Sequence, residues 1–113
     1  MTALITRDEL KKEIEASSVT VVDALGESYW AQQHLPGAVY LVADDVQAKA
    51  PTLLPDKDAA IVTYCSNTAC PNSGQVAAKL EAMGYKHVRK YAEGIQDWVE
   101  AGLPVESTTP AQS

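Results

Sequence analysis

The chain has 113 residues, 46% of them apolar and 21% charged, the composition of one folded domain with a core of its own. Its formal net charge of −6 speaks against a nucleic-acid or anionic-membrane surface. No window approaches the ~20 apolar residues of a membrane span, and the opening "MTALITRDELKKEIEA" lacks the basic-then-apolar order of a signal peptide, so a cytoplasmic chain with reduced thiols is expected.

Leu4-Ile5 predicts a short first strand. Thr6-Arg7-Asp8-Glu9 has the form of a capping box, in which Thr6 and Glu9 satisfy free backbone donors at a helix start. Leu10 and Ile14, four apart, give that helix a core face. Val19 to Asp23 is β-branched and of strand length. Glu27 to Gln33 predicts one or two helical turns, halted by Pro36-Gly37. Ala38 to Val42 reads as a third strand, Asp44 to Ala50 as a short helix, and Pro51 to Asp58 as a loop. Ala59 to Tyr64 is apolar almost throughout, the pattern of a strand buried on both faces. Ser73 to Met83 follows as a helix, with Val76, Ala77, Leu80 and Met83 on one face and Gly84 as its stop. Val88 to Tyr91 is a last strand, and Gly94 to Ala101 a last helix carrying Ile95 and Trp98. The domain is expected over residues 1–106, with a small, polar and flexible tail over 107–113.

Strands alternating with helices predict an α/β fold, a mainly parallel sheet covered on both faces. In such folds ligands gather at the carboxyl ends of the strands, and Cys65 stands at one. The chain's two cysteines, Cys65 and Cys70, both lie between that strand and the following helix. Seven uncharged residues follow Cys65: Ser66, Asn67, Thr68, Ala69, Cys70, Pro71 and Asn72. Ser73 then begins the helix, as its cap or as a contact to whatever the loop binds. A helix N-terminus facing the loop favours thiolate over thiol, and inward-pointing loop amides would cradle an anion. Pro71 withholds one such donor.

Other polar residues read as supports. His34, before Pro36-Gly37, is expected to stabilise its turn by hydrogen bonding, and His87 to be a solvated loop residue. Asp23, at a strand end, is expected to hold neighbouring backbone. Tyr64, Trp30 and Trp98 are expected as core or pocket wall. A metal centre built from Cys65, Cys70 and either histidine is disfavoured, because none of the usual paired ligand spacings is present.

The order of "VVDA" (21–24), "HLPGAVYL" (34–41), "IVTYC" (61–65), "SGQVAAKLEAMGY" (73–85) and "VRKYAEGIQDWVEAGLPVE" (88–106) resembles the single-domain rhodaneses, a sulfurtransferase family. The likeness spans nearly the whole chain. Its most specific part is the last, with Gly94, Trp98 and Gly-Leu-Pro. It implies a five-stranded α/β domain in which Cys65 takes sulfane sulfur as a persulfide and passes it to a thiophilic acceptor. It implies no metal and no organic cofactor. The implied partners are a small sulfur donor and a thiol or cyanide-like acceptor, or a protein sulfur acceptor, and neither nucleic acid nor membrane.

Two departures from the family pattern stand out. The common loop has the form Cys-Arg-x-Gly-x-Arg-Ser, whereas Cys65 to Ser73 is two residues longer and carries no basic residue. The length resembles that of dual-specificity phosphatases and arsenate reductases, but those rely on a loop arginine, and phosphoryl transfer here would lack its main stabiliser. The same absence weakens thiosulfate, a dianion, as donor. The arginine often found after the second strand's aspartate is missing too, as Asp23-Ala24-Leu25 shows. Cys70 is then a candidate second thiol, which either attacks the Cys65 persulfide and releases sulfide or accepts the sulfane sulfur itself. A competing reading is a non-enzymatic rhodanese-like module that binds a partner or senses oxidants through Cys65 and Cys70.

Overall fold

The structure is a computed structural model and describes residues 3–107. Five strands alternate with helices: β1 (Ala3–Leu4), α1 (Arg7–Glu15), β2 (Thr20–Asp23), α2 (Glu27–Gln32), β3 (Val39–Tyr40), α3 (Val46–Leu53), β4 (Ala60–Tyr64), α4 (Asn72–Ala82), β5 (His87–Tyr91) and α5 (Gly94–Glu100). A single 3₁₀ turn over Ala43–Asp45 leads into α3. The pairings between these five strands are all parallel, and the sheet order is β1-β5-β4-β2-β3.

That order places the topological switch between β2 and β4. From β2 the chain steps outward to β3, and from β4 it steps the other way to β5. The loops leaving β2 and β4 therefore diverge and leave a crevice at their carboxyl ends. Ala24 N–H donates to Tyr64 O at 2.9 Å and carries the pairing to the edge of that crevice. Cys65 is the next residue after Tyr64.

Alternation along each strand divides the core in two. Val22, Ile61 and Val88 face α3 and α4, packing on Val46, Ala50, Val76, Ala77 and Leu80. Val21, Val62, Tyr64 and Tyr91 face the other way, onto Leu10, Ile95 and Trp98. The capping box at α1 is present: Glu9 N–H donates to Thr6 Oγ1 and Thr6 N–H to Glu9 Oε1, each at 3.2 Å. The Thr6 N–H, and the Thr6 hydroxyl donating to the same Glu9 oxygen at 3.1 Å, hold the Glu9 carboxyl below its ordinary range. Arg89 on β5 forms a two-pronged pair with Glu13, fastening α1 to the sheet.

Several boundaries differ from the sequence reading. The first strand is Ala3–Leu4, although Ile5 N–H still donates to Lys90 O at 3.1 Å. The third strand shrinks to Val39–Tyr40, and α3 runs through Pro51 to Leu53 where a loop was expected. Proline at that point removes one amide donor only one turn from the helix end. The Tyr85 hydroxyl, reaching across from the end of α4, donates to Ala50 O at 3.2 Å and Leu54 O at 2.5 Å and fastens the last turn. His87 is exposed as expected but opens β5 instead of lying in a loop.

Beyond α5 the chain is pinned. Glu106 and His34 exchange backbone hydrogen bonds of 2.8 and 2.9 Å in an antiparallel bridge, and Glu106 Oε1 accepts Gly37 N–H at 2.8 Å. Of the expected tail over 107–113, only Ser107 falls within the described residues, and its hydroxyl donates to Ala31 O at 3.0 Å.

Under the crevice lies a buried polar chain. Asp23 accepts from Leu25 N–H at 2.7 Å and from the Tyr64 hydroxyl at 2.8 Å, and that hydroxyl in turn accepts Leu35 N–H at 3.2 Å. Asp23 thus holds backbone, as its strand-end position predicts. Burial raises its carboxyl above the ordinary aspartate range, with the two donors acting in the opposite direction. The folded chain therefore holds this proton more tightly than the unfolded chain. The resulting stability is full below the ordinary aspartate value and is lost as pH rises through the raised folded one. Asp23→Asn should abolish that component of the pH dependence. It should also cost about 1–3 kcal/mol near neutral pH, because Tyr64 loses its acceptor; urea unfolding of both proteins across the acid range measures each effect.

Candidate active site

Cys65 leaves the carboxyl end of β4 with 1% of its surface exposed. What fixes the chain there is α5. Its first free amides meet the carbonyls after the strand: Ile95 N–H donates to Cys65 O and Gln96 N–H to Ser66 O, both at 2.9 Å. Gly94 begins this helix at φ 74°, and a Cβ built on it would stand 2.6–2.7 Å from Ser66 C, Cys65 O and Ser66 O. Only glycine allows an approach this close, and the positive φ favours it again.

The peptide plane converts this into direction for the donors. In a trans peptide the N–H points opposite to the C=O of the preceding residue. With the carbonyls of Cys65 and Ser66 held on α5, the amides of Ser66 and Asn67 point away from that helix. Asn67 then turns the chain. Its side-chain oxygen accepts Ala69 N–H at 2.9 Å, its carbonyl accepts Cys70 N–H at 3.2 Å, and its amide nitrogen donates to Gln96 Oε1 at 3.1 Å. The turn brings Cys70 back to Cys65, with the two Cα atoms 6.2 Å apart and the sulfurs joined in a disulfide. The expected pair of free thiols is thus a bonded pair. Ser66, Asn67 and Cys70 are half-buried, and Thr68 and Ala69 are exposed.

The helix start differs from the expectation that Ser73 begins or caps it. α4 begins at Asn72, with Pro71 in the cap position and no side-chain cap. Proline's fixed φ is already helical, and Gln75 N–H donates to Pro71 O at 3.1 Å as the first intrahelical bond. Ser73 is buried in the first turn, and its carbonyl accepts the Thr63 hydroxyl at 3.0 Å, tying α4 to β4. Asn72 reaches across the crevice, its amide 3.4 Å from Ala24 O. Ala69 and Cys70 spend their amides on Asn67, and Pro71 has none. The donors left to the loop are therefore Ser66, Asn67 and Thr68, with the first amides of α4.

The electrostatic surroundings come from outside the loop. An open groove of about 410 Å³ runs between Asn67–Ala69 and the acidic side chains Glu93, Asp97 and Glu100. Asp97 is compensated: Arg7 pairs with it at 3.1 Å and the Tyr91 hydroxyl donates to it at 2.5 Å. Burial first, and then that bond to a carboxylate, push the Tyr91 hydroxyl well above the usual tyrosine range. Glu100 accepts from Gln96 at 3.2 Å, which leaves its charge in place. On the other flank an ammonium does arrive. Lys90 Nζ lies 3.6 Å from where a Cβ on Gly74 would stand, beside the first turn of α4. The register explains its position, since Lys90 pairs with Thr63, the residue that bonds Ser73.

The sequence reading contained neither Lys90 nor the acidic wall of α5. Both arise from strand register and helix packing and leave no trace in the loop itself. The histidines weighed as ligands are not brought to the cysteines. His87 pairs with Ala60 at the opposite end of the sheet. His34 stacks on Trp30 at 4.4 Å between ring centres, with Nδ1 2.7 Å from Trp30 O. Trp30 also walls a separate apolar cavity of about 480 Å³ with Val39, Tyr40 and Leu53, whereas Tyr64 and Trp98 are core.

Residues 6–101 match the family model described as "Rhodanese-like domain". Thiosulfate sulfurtransferase PspE of Escherichia coli (strain K12) is 33% identical over 76 residues, which are 67% of this chain and 70% of that protein. The HTH-type transcriptional regulator Rv0324 of Mycobacterium tuberculosis is 31% identical over 106 residues, 94% of this chain; the chain spans 46% of that regulator's length. Among solved structures, the BH2092 protein from Bacillus halodurans superposes with a TM-score of 0.86 at 24% identity, over 99% of this chain and 82% of that one.

Gly94→Ala should be severe for a substitution of one methyl group. The added carbon meets backbone, not a side chain that can swing aside, and left-handed φ costs roughly a further 1–2 kcal/mol for alanine. We expect a large loss of stability in chemical denaturation. In whatever folded fraction remains, the rate of Cys65 alkylation after reduction should change, because the loop carbonyls lose their donors.

Proposed function

The chain belongs to the rhodanese-like domain family, and we propose that it transfers sulfane sulfur through a persulfide on reduced Cys65. The observation that carries this reading is the position of Cys65. It sits at the carboxyl end of a central strand, at the switch between β2 and β4, in front of an 11-residue helix whose dipole favours negative charge on its sulfur. The Cys65 thiolate attacks the outer sulfur of a donor R–S–SH. A new S–S bond forms, the donor's own S–S bond breaks, and RS⁻ leaves and is protonated. An acceptor thiolate or cyanide then removes that sulfur and returns Cys65 as thiolate. The amides of Ser66, Asn67 and Thr68 and those of the first turn of α4 stabilise the terminal persulfide anion.

The Escherichia coli relative is named for thiosulfate. In this chain the loop offers no cation, and the groove beside it carries Glu93 and Glu100. We therefore assign preference to low-charge persulfide donors. A second reading is favoured by the match to a transcriptional regulator over 94% of the chain. In that reading the same pair of cysteines reports oxidants or reactive sulfur to a partner without turnover.

Cys65→Ser should abolish sulfane transfer from every donor, and transfer that survives it would refute the persulfide route. Multiple turnover by the wild-type chain separates transfer from sensing, which needs only one event per molecule. Thiosulfate kcat/KM should rise with added salt, since screening relieves like-charge repulsion, while a thiol persulfide shows little change. Glu93→Gln or Glu100→Gln should raise the thiosulfate value roughly two- to fivefold at low salt, of the order expected for one unit charge in a solvated site.

A further inference from the structure

Resting on that sulfurtransferase reading, we propose that the loop is a persulfide-reducing device. Cys70 expels sulfide from the Cys65 persulfide, and an external dithiol reopens the resulting disulfide by attacking Cys70. The first step is Cys65–S–SH plus Cys70–S⁻ giving Cys65–S–S–Cys70 plus HS⁻. One S–S bond forms and one breaks, and the sulfane sulfur leaves with the electron pair as hydrosulfide. The second step consumes a dithiol, R(SH)₂. One of its thiolates bonds to Cys70 and Cys65 departs as thiolate; the second thiol then releases Cys70 and leaves as the cyclic disulfide. The net change is reduction of one sulfane sulfur to sulfide at the expense of one dithiol.

Three features of the loop point this way. The Asn67 turn holds the cysteines with Cα atoms 6.2 Å apart and the sulfurs bonded, so the product of the first step is the arrangement in place. An intramolecular thiol placed so meets the persulfide at an effective concentration far above that of any thiol in solution. That turn lies within a loop two residues longer than the common family pattern.

The order of attack follows from exposure and from the leaving group. Cys65 is 1% exposed while Cys70 is half-buried at the rim, so an incoming thiolate reaches the Cys70 sulfur. The sulfur then released is Cys65, which emerges as thiolate in front of α4, and a stabilised thiolate is the better leaving group. A monothiol stops after the first exchange, because Cys65 is poised to expel it from Cys70. A dithiol completes the reaction with its second thiol.

The 113-residue chain is reduced, freed of reductant under nitrogen and mixed with one equivalent of glutathione persulfide, with sulfide and intact mass followed together. Wild type should release sulfide without added thiol and end at the mass of the disulfide form. Cys70→Ser should hold the persulfide and release sulfide at least about tenfold more slowly, the minimum expected on loss of an intramolecular thiol. Equal persulfide lifetimes in the two proteins would overturn the relay while leaving the sulfurtransferase reading standing. A Cys70→Ser protein that takes up no sulfane sulfur would overturn both. A thioredoxin-type dithiol protein lacking its second cysteine should be trapped by wild type in a mixed disulfide that peptide mapping places on Cys70. Trapping on Cys65 would overturn the order of attack.

Discussion

The contact on which the rest of the site depends is backbone against backbone, where Gly94 leaves room for the carbonyls of Cys65 and Ser66. A strand leaving a parallel sheet has no reason of its own to present its next amides in one direction. Here α5 supplies it. Two amides at the helix start take two carbonyls, and planarity of the peptide bond turns the following N–H groups away from the helix. The arrangement also satisfies donors that a helix N-terminus otherwise leaves open. One glycine thus couples the stability of α5 to the geometry of a loop 29 residues earlier, a separation the Asn67–Gln96 bond spans as well.

This coupling explains which parts of the molecule were legible in the sequence. Local signals carried the elements. The capping box marked α1, the apolar run before Cys65 marked β4, and Gly84 marked the end of α4, where it lies at φ 99°. Where the outcome rested on a partner distant in the chain, the sequence was silent or misleading. Pro51 reads as a helix breaker until Tyr85 is seen bonding the turn around it. Glu106 reads as the edge of a polar tail until its bridge to His34 appears. Ser73 reads as a cap, but proline's own geometry starts the helix one residue earlier.

The site shows the same division. Cys65 was legible because a cysteine at the carboxyl end of a buried strand, before a helix, is a positional signal that needs no partner. The family likeness placed it in the same spot. Its surroundings were not legible, because Lys90 arrives through register with Thr63 and Glu93 and Glu100 through the packing of α5. Absence of a loop arginine could be read directly. That the neighbouring groove is acidic could not, and it reverses the field that an anionic donor would meet on that side.

These constraints bear on why a second cysteine stands in this loop. A sulfurtransferase that keeps a loop arginine can hold an anionic donor and stabilise the anion that leaves. A loop with no cation of its own, left with a few amides and a helix dipole and with Lys90 only beside the first turn of α4, has weaker means of doing either. Thiol exchange makes a smaller electrostatic demand, because one thiolate replaces another and charge is conserved across the step. Its main requirement is proximity, which the Asn67 turn provides through hydrogen bonds of 2.9 and 3.2 Å. Charge withdrawn from the loop and a thiol added to it are, on this view, one change in chemistry and not two. On the proposed reading the fold and the position of Cys65 are kept, while the work of binding an anion gives way to the work of holding two sulfurs together.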